Sequence, residues 1–220
     1  MIDVVTITLG GMPLSLRPDR TAHAPDTGVL FAADLHWGKA AAFRALGVPV
    51  PRGSTDDTLS RLSHALTETG ARHLVILGDL WHDRSSRSAA FDAALATWRE
   101  RHAGVAMTLV RGNHDRRAGD PAESLAIACV DEPWSLEGVA LHHHPPANDG
   151  PWLAGHVHPA ARLTGLGRQA LVVPCFHQRG AGMVLPAFGA FTGRGVIEPR
   201  RGDLLHCIAG DAVITRAVGR

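Results

Sequence analysis

The sequence predicts a layered α/β domain with two packed sheets. Three features lead there. The first half alternates short apolar runs with helical stretches, a βαβα order. Beyond about residue 157 short apolar runs fall at 170–174, 182–186, 195–198, 204–208 and 212–215, parted by Gly, Pro and Arg, which reads as antiparallel sheet. The 220 residues are 45% apolar, enough for a core in one domain spanning 1–220.

Residues 2–9 alternate β-branched and other residues and predict a strand. Residues 12–27 hold four charges and three prolines and predict a turn-rich hairpin or loop. Val29–Ala33 is a short apolar run suited to a buried strand. Residues 39–46 predict a short helix, broken by Pro49 and Pro51. Ser54 then caps a helix to about Thr69, in which Leu59, Leu62 and Leu66 share one face and Gly70 ends the run. His73–Leu77 is a second strand, Ser88–His102 a helix and Val105–Val110 a third strand. Residues 121–128 predict helix, and Val139–Leu141 and Trp152–Ala154 short strands.

Composition narrows the function classes. Net charge is +1 with His neutral, so no global basic field marks a nucleic-acid binder, although Arg194, Arg200 and Arg201 make the late section basic. Cys129, Cys175 and Cys207 lie far apart with no CxxC, which argues against a zinc ribbon or a redox pair and suits reduced thiols in the cytoplasm. Met1-Ile2-Asp3-Val4 lacks the basic start of a secretory signal, and no run of 18 apolar residues occurs. A cytoplasmic protein without a membrane span is expected.

The chemistry sits where the buried strands end. Val29–Ala33 is followed by Asp34-Leu35-His36, His73–Leu77 by Gly78-Asp79, and Val105–Val110 by Arg111-Gly112-Asn113-His114-Asp115. Val139–Leu141 is followed by His142-His143-His144-Pro145-Pro146, and Trp152–Ala154 by Gly155-His156-Val157-His158. Open α/β sheets bind ligands at the carboxyl ends of their strands, so Asp, His and Asn delivered to one rim predict a metal site. Asp34 and His36 are two apart and project to one side in extended backbone, as do His156 and His158. Gly78, Gly112 and Gly155 precede the ligands, where close backbone approach favours Gly. A nitrogen and oxygen set without thiolate suits Mn, Fe, Zn or Ni. Taken singly, a GD after a strand is a common turn and a His run a common solvated loop; the ordered series is what carries the reading. Lys39 and Arg44 follow the first of these segments as candidate phosphate contacts, or as a solvated helical turn. Trp37, Trp81 and Trp152 lie near these segments, with core packing the expected role.

That ordered series, DxH, GD, GNH, H and GHxH, resembles the calcineurin-like metallophosphoesterase superfamily. Further segments are similar to its bacterial DNA-ligase-associated, DNA damage response subgroup of phosphodiesterases or endonucleases. These are Asp34 to Lys39 with Phe43-Arg44, Gly47-Val48-Pro49-Val50-Pro51, Gly78-Asp79-Leu80-Trp81-His82, Pro174-Cys175-Phe176, Leu185 to Gly189 and Phe191-Thr192-Gly193. The resemblance implies a four-layer α/β/β/α sandwich of two mixed sheets and hydrolysis of phosphodiesters at two divalent ions, Mn²⁺ first among them. It places Asp34, His36 and His158 on one ion, and Asn113, His156 and one of His142–His144 on the other, with Asp79 bridging. His143, two before a Pro, is favoured and His144 second. His114 stands beside the phosphate as general acid or electrostatic stabiliser. The superfamily's acidic residue two beyond GD, which orients that His, is replaced by His82, so Asp83 and Asp115 are candidate partners. The subgroup implies action on DNA, in repair alongside a ligase, a helicase and an exonuclease. The rivals are a phosphomonoesterase or small-nucleotide phosphodiesterase, and a non-catalytic repair scaffold.

Overall fold

Strands that run between two layers are buried on both faces and read as unbroken apolar runs. Val29–Ala32 (β4) is such a strand, buried at every residue, and His73–Leu77 (β5) and Ala106–Val110 (β6) are buried at all but their first. In the computed structural model, which describes residues 2–45, 47, 54–84, 89–147, 150–165, 169–189 and 192–219, these three strands are parallel neighbours at the centre of the first sheet. An antiparallel meander of Val5–Leu9 (β1), Met12–Leu16 (β2) and Ala22–Ala24 (β3) adds to one side and Ile127–Val130 (β7) to the other, giving the order β1-β2-β3-β4-β5-β6-β7. The hairpin expected within 12–27 is therefore regular sheet.

The intervening helices are Lys39–Ala45 (α1), Ser54–Thr69 (α2), Ala89–Arg101 (α3) and Asn113–Ala118 (α4). Leu59, Leu62 and Leu66 of α2, at helical spacing, pack with Leu95 and Trp98 of α3 against Leu30, Leu74 and Ile76 of the sheet. Trp98 sets the α2–α3 contact by donating its indole N–H to Leu59 O at 3.1 Å and Ser63 Oγ at 2.8 Å.

The second sheet is built from Trp134–Leu136 (β8), Val139–Leu141 (β9), Trp152–Ala154 (β10), Pro159–Thr164 (β11), Ala170–Arg179 (β12), Gly182–Val184 (β13), Gly195–Val196 (β14), Leu204–Ala209 (β15) and Ala212–Ala217 (β16). Its path is β14-β11-β12-β13-β10-β9-β8, with β15 joining β12 to β16. It is mixed rather than wholly antiparallel: β10 runs parallel to β9 and β13, and β11 to β14. The inner faces of the two sheets meet in the main core, where Phe31, Val75 and Leu77 oppose Leu141, Leu153, Phe176 and Met183. Outside the second sheet lie smaller clusters, around Trp152 and around Cys175 and Cys207. They hold strand and loop residues and, among the described residues, none from a helix.

One expected helix needs correction, and two strands were not expected. Residues 121–128 form a single 3-10 turn, Glu123–Leu125, and then enter β7. Ala126 takes a left-handed φ of 47°, which ends the turn, and pairing along β6 outweighs helical propensity. Strands β8 and β11 fall outside the expected runs: Trp134-Ser135-Leu136 alternates but is only three residues long, and β11 opens on Pro159, at the strand position where a missing N–H is tolerated. Ser88, Pro49 and Pro51 lie outside the described residues. No described helix is long and apolar enough to cross a membrane, which says nothing of a β-barrel.

Candidate metal centre

The loops after β4, β5, β6, β9 and β10 meet at one rim of the sandwich. Backbone bonds join them: Asp34 N–H donates to Gly78 O at 3.1 Å, His36 N–H to Asp79 O at 2.9 Å, and Gly155 N–H to His143 O at 3.1 Å. His156 N–H donates to Asp34 Oδ2 at 2.8 Å, and His114 N–H to Asp79 Oδ1 at 3.0 Å.

The backbone that presents these side chains is not extended. Asp34, His36, Asp79, His156 and His158 have φ of 53°, 46°, 51°, 70° and 51°, in the left-handed region that side chains other than Gly rarely adopt. Each such residue costs about 1–3 kcal/mol, and residues of this kind gather where a site requires them. The shared direction expected from spacing in a strand is thus achieved by alternating turns. Glycine makes room for the crowding. Gly78 has φ +79°, and a Cβ there would lie 2.1 Å from the His143 ring; a Cβ on Gly112 would lie 2.3 Å from Asp79 Oδ1.

The side chains form two adjoining groups. In one, His158 Nε2 lies 3.4 Å from both Asp34 Oδ1 and His36 Nε2, and His36 Nε2 lies 3.8 Å from Asp79 Oδ2. In the other, His143 Nε2 lies 3.1 Å from Asn113 Oδ1, 3.1 Å from His156 Nδ1 and 3.5 Å from Asp79 Oδ1. Asp79 faces both. Leu77 O accepts from His143 Nδ1 at 3.1 Å, which fixes the proton on that nitrogen and leaves Nε2 towards the cluster. Asp34 Oδ1 is buried without any hydrogen-bond donor. Lone pairs converging on one space, with a carboxylate oxygen left unpaired, fit a cation better than they fit one another. The groups Asp34–His36–His158, Asp34–Asp79–His143 and His143–His144–His156 have their ligand atoms close enough to share an ion. Burial pushes the His36 imidazole down to about 2 and lowers His156, so both rings are neutral at neutral pH, the form that ligates metal.

His114 stands at the open side, with Nε2 3.9 Å from Asp79 Oδ2 and its ring edge-on to His36 at 5.0 Å. Its Nδ1 lies 2.5 Å from the carbonyl oxygen of His82. A carbonyl only accepts, so Nδ1 carries the proton. The orienting group is therefore the backbone of His82, at the position expected to carry an acid, and not Asp115. Asp115 accepts from Gly112 N–H at 2.9 Å and Trp81 N–H at 3.2 Å, capping α4, and burial pushes its carboxyl up to about 6. Lys39 is half-buried; burial lowers its amine, while Asp34 and Asp79 act to raise it. Arg44 falls in α1 with its side chain outside the described residues. Trp37, Trp81 and Trp152 are core residues.

Two groups complete the surroundings of the site: His82, marked in sequence only as standing where an acid was expected, and Glu132, which sequence did not mark. The ring of His82 joins His36 and His114 in a further cluster, stacked on His114 at 5.5 Å. Glu132 accepts from the N–H groups of His143 and His144 at 2.8 and 2.9 Å and from the His144 ring at 2.8 Å, so it shapes the histidine loop from 11 residues away.

A sandwich of two mixed sheets with Asp, Asn and His converging at strand ends defines the metal-binding phosphoesterases. Residues 27–158 match the family model described as calcineurin-like phosphoesterase, and the chain belongs to that family. Among solved structures, Pseudomonas putida nuclease MPE is 42% identical over 94% of this chain and 97% of its own, with a TM-score of 0.82. YfcE, a phosphoesterase from E. coli, is 19% identical over 87% of this chain and 99% of its own, with a TM-score of 0.44. No curated protein sequence matches the chain.

Proposed function

We propose that the chain, as one domain over 1–220, is a two-metal phosphodiesterase that cuts nucleic acid in the cytoplasm. Asp34, His36 and His158 would hold one ion, Asn113, His143 and His156 the other, and Asp79 both. The observation that carries this reading is the buried convergence of lone pairs on Asp79, with His36 and His143 on either side and Asp34 Oδ1 unpaired. The donors suit Mn²⁺, Fe, Zn or Ni; Mn²⁺ is the ion we propose, from the family resemblance. Two such ions, when bound, would neutralise phosphoryl oxygens and acidify a water between them.

The chain's own residues supply the rest. Asp79 anchors the first turn of α4 through His114 N–H, which keeps Asn113 and His114 in register with the carboxylates. His82 O holds Nδ1–H of His114 and so turns Nε2 towards the site. A proton on Nε2 would go to the leaving oxygen, a role worth about 10²–10⁴-fold. The similar nuclease from P. putida supports a nucleic-acid strand over a small ester. A place in DNA repair beside a ligase, a helicase and an exonuclease is part of the proposal and rests on the subgroup resemblance.

The test is an activity panel with Mn²⁺ across a bis-aryl phosphodiester, an aryl monoester, cyclic nucleotides, and single- and double-stranded DNA. Hydrolysis of the diester and of DNA, abolished by a chelator, is expected. Turnover of the monoester alone would overturn the diesterase reading.

A further inference from the structure

Next to the metal centre, with His158 as their shared wall, lies a cleft of about 670 Å³. Arg20, Arg61 and Arg194 line it, together with Gly189 and Thr192. The cleft is tied to the centre through the chain: Phe188 N–H donates to Ala33 O at 2.8 Å and Gly189 N–H to Asp34 O at 3.1 Å.

The three guanidinium groups are held in place by backbone carbonyls, with Asp57 and Asp19 near Arg61 but not bonded to it through their carboxylates. Arg20 Nη1 donates to Ala187 O at 3.1 Å. Arg61 donates to Phe188 O at 3.1 Å and Asp19 O at 3.2 Å, and lies 4.5 Å over the Phe188 ring. Arg194 Nη1 donates to Val172 O at 2.8 Å. All four acceptors are backbone carbonyls. Among the described residues none of the three arginines makes an ion pair with a carboxylate. Asp19, at the same cleft, is engaged by Arg17 at 2.8 Å and by Thr21. Asp57 is exposed at the rim. A guanidinium has five N–H donors, so most of them remain for a ligand. Burial, with Arg61 and Arg194 adding to it, pushes Arg20 down to about 10, while Asp57 and Asp19 act to raise Arg61 against its own burial.

We propose that this cleft binds a second phosphate of the substrate, one neighbouring the phosphate at the metal centre, through Arg20, Arg61 and Arg194. The proposal rests on the phosphodiesterase reading and narrows it: the substrate is a strand with consecutive phosphates rather than an isolated diester. Planar guanidinium forks fit phosphate oxygens in pairs, and a fixed set of them sets register along a strand.

The test compares a single-stranded oligonucleotide with the bis-aryl diester, which has one phosphate, on full-length protein with Mn²⁺. Arg194→Gln is the first variant, since its side chain is exposed; Arg20→Gln follows, with Arg20→Lys if Gln prevents folding. Arg201→Gln, exposed and outside the cleft, is the control. We expect Arg194→Gln to raise KM for the strand about tenfold, so that the strand-to-diester ratio of kcat/KM falls. The slope of log kcat/KM against log salt should shrink by about 0.7 for each phosphate that the variant no longer neutralises. If the arginines only brace residues 187–189, both substrates fall together and the slope is unchanged, which overturns the proposal; so does an unchanged ratio in both variants. Failure of wild type to cut either substrate would instead sink the underlying reading. The cleft is then judged by anisotropy of a labelled strand with chelator present, where equal binding by wild type and Arg194→Gln overturns it.

Discussion

Gly78→Ala should damage the molecule in two separable ways. Gly78 sits at φ +79°, and an added Cβ would lie 2.1 Å from His143 Nδ1 and 2.4 Å from its Cγ. The left-handed backbone costs an L-residue about 1–2 kcal/mol. The overlap adds about 1–3 kcal/mol, because the His143 ring is fully buried and cannot swing away freely. Together that is about 2–5 kcal/mol, or a fall in Tm of about 4–20 °C for a chain of this size. Displacing His143 also breaks its bond to Leu77 O and moves Nε2 away from Asn113 and His156, so one of the two proposed ions should be lost. Gly138→Ala is the control: its φ is +77° and nothing lies within 4 Å, so only the backbone cost remains. The assays are thermal melts with chelator and metal content by elemental analysis. A Gly78→Ala protein that melts with the Gly138→Ala control and binds two ions would refute the steric reasoning.

His114→Ala should keep metal content near wild type and lower kcat about 10²–10⁴-fold, less for aryl esters, which leave without a proton; loss of metal would make His114 a ligand. Asp79→Ala should lose metal and activity together, and metal content equal to wild type would remove its proposed bridging role. Asp115→Ala leaves Gly112 and Trp81 N–H groups unpaired at the start of α4, a cost of about 1–3 kcal/mol by urea unfolding. Its kcat should fall, since α4 carries Asn113 and His114. Acid should destabilise the chelated protein. His36 is pushed from 6.5 to about 2, so the unfolded chain takes up a proton that the folded one refuses as pH falls below 6.5. Each such histidine contributes a slope of about 1.4 kcal/mol per pH unit in that window. A urea midpoint flat between pH 7 and pH 5 would contradict it.

The central strands and the chemistry of their ends could be read from sequence because both depend on local pattern. Unbroken apolar runs such as Val29–Ala32 and His73–Leu77 suit only strands buried on both faces, and Asp, Asn and His after five such runs have few uses apart from a metal. What sequence could not give is the geometry that joins them. Five of the candidate ligating positions adopt left-handed backbone, a conformation no propensity favours and only surrounding packing enforces. Likewise, Ile127–Val130 became a strand because β6 offered an unpaired edge, and the parallel pairs of the second sheet depend on partners far apart in sequence. The carbonyl of His82 under His114, Glu132 beneath the histidine loop, and the gathering of Arg20, Arg61 and Arg194 beside His158 were decided by tertiary structure alone. A backbone carbonyl carries no residue-specific signal, and charges 41 and 133 residues apart meet only when the sheets close.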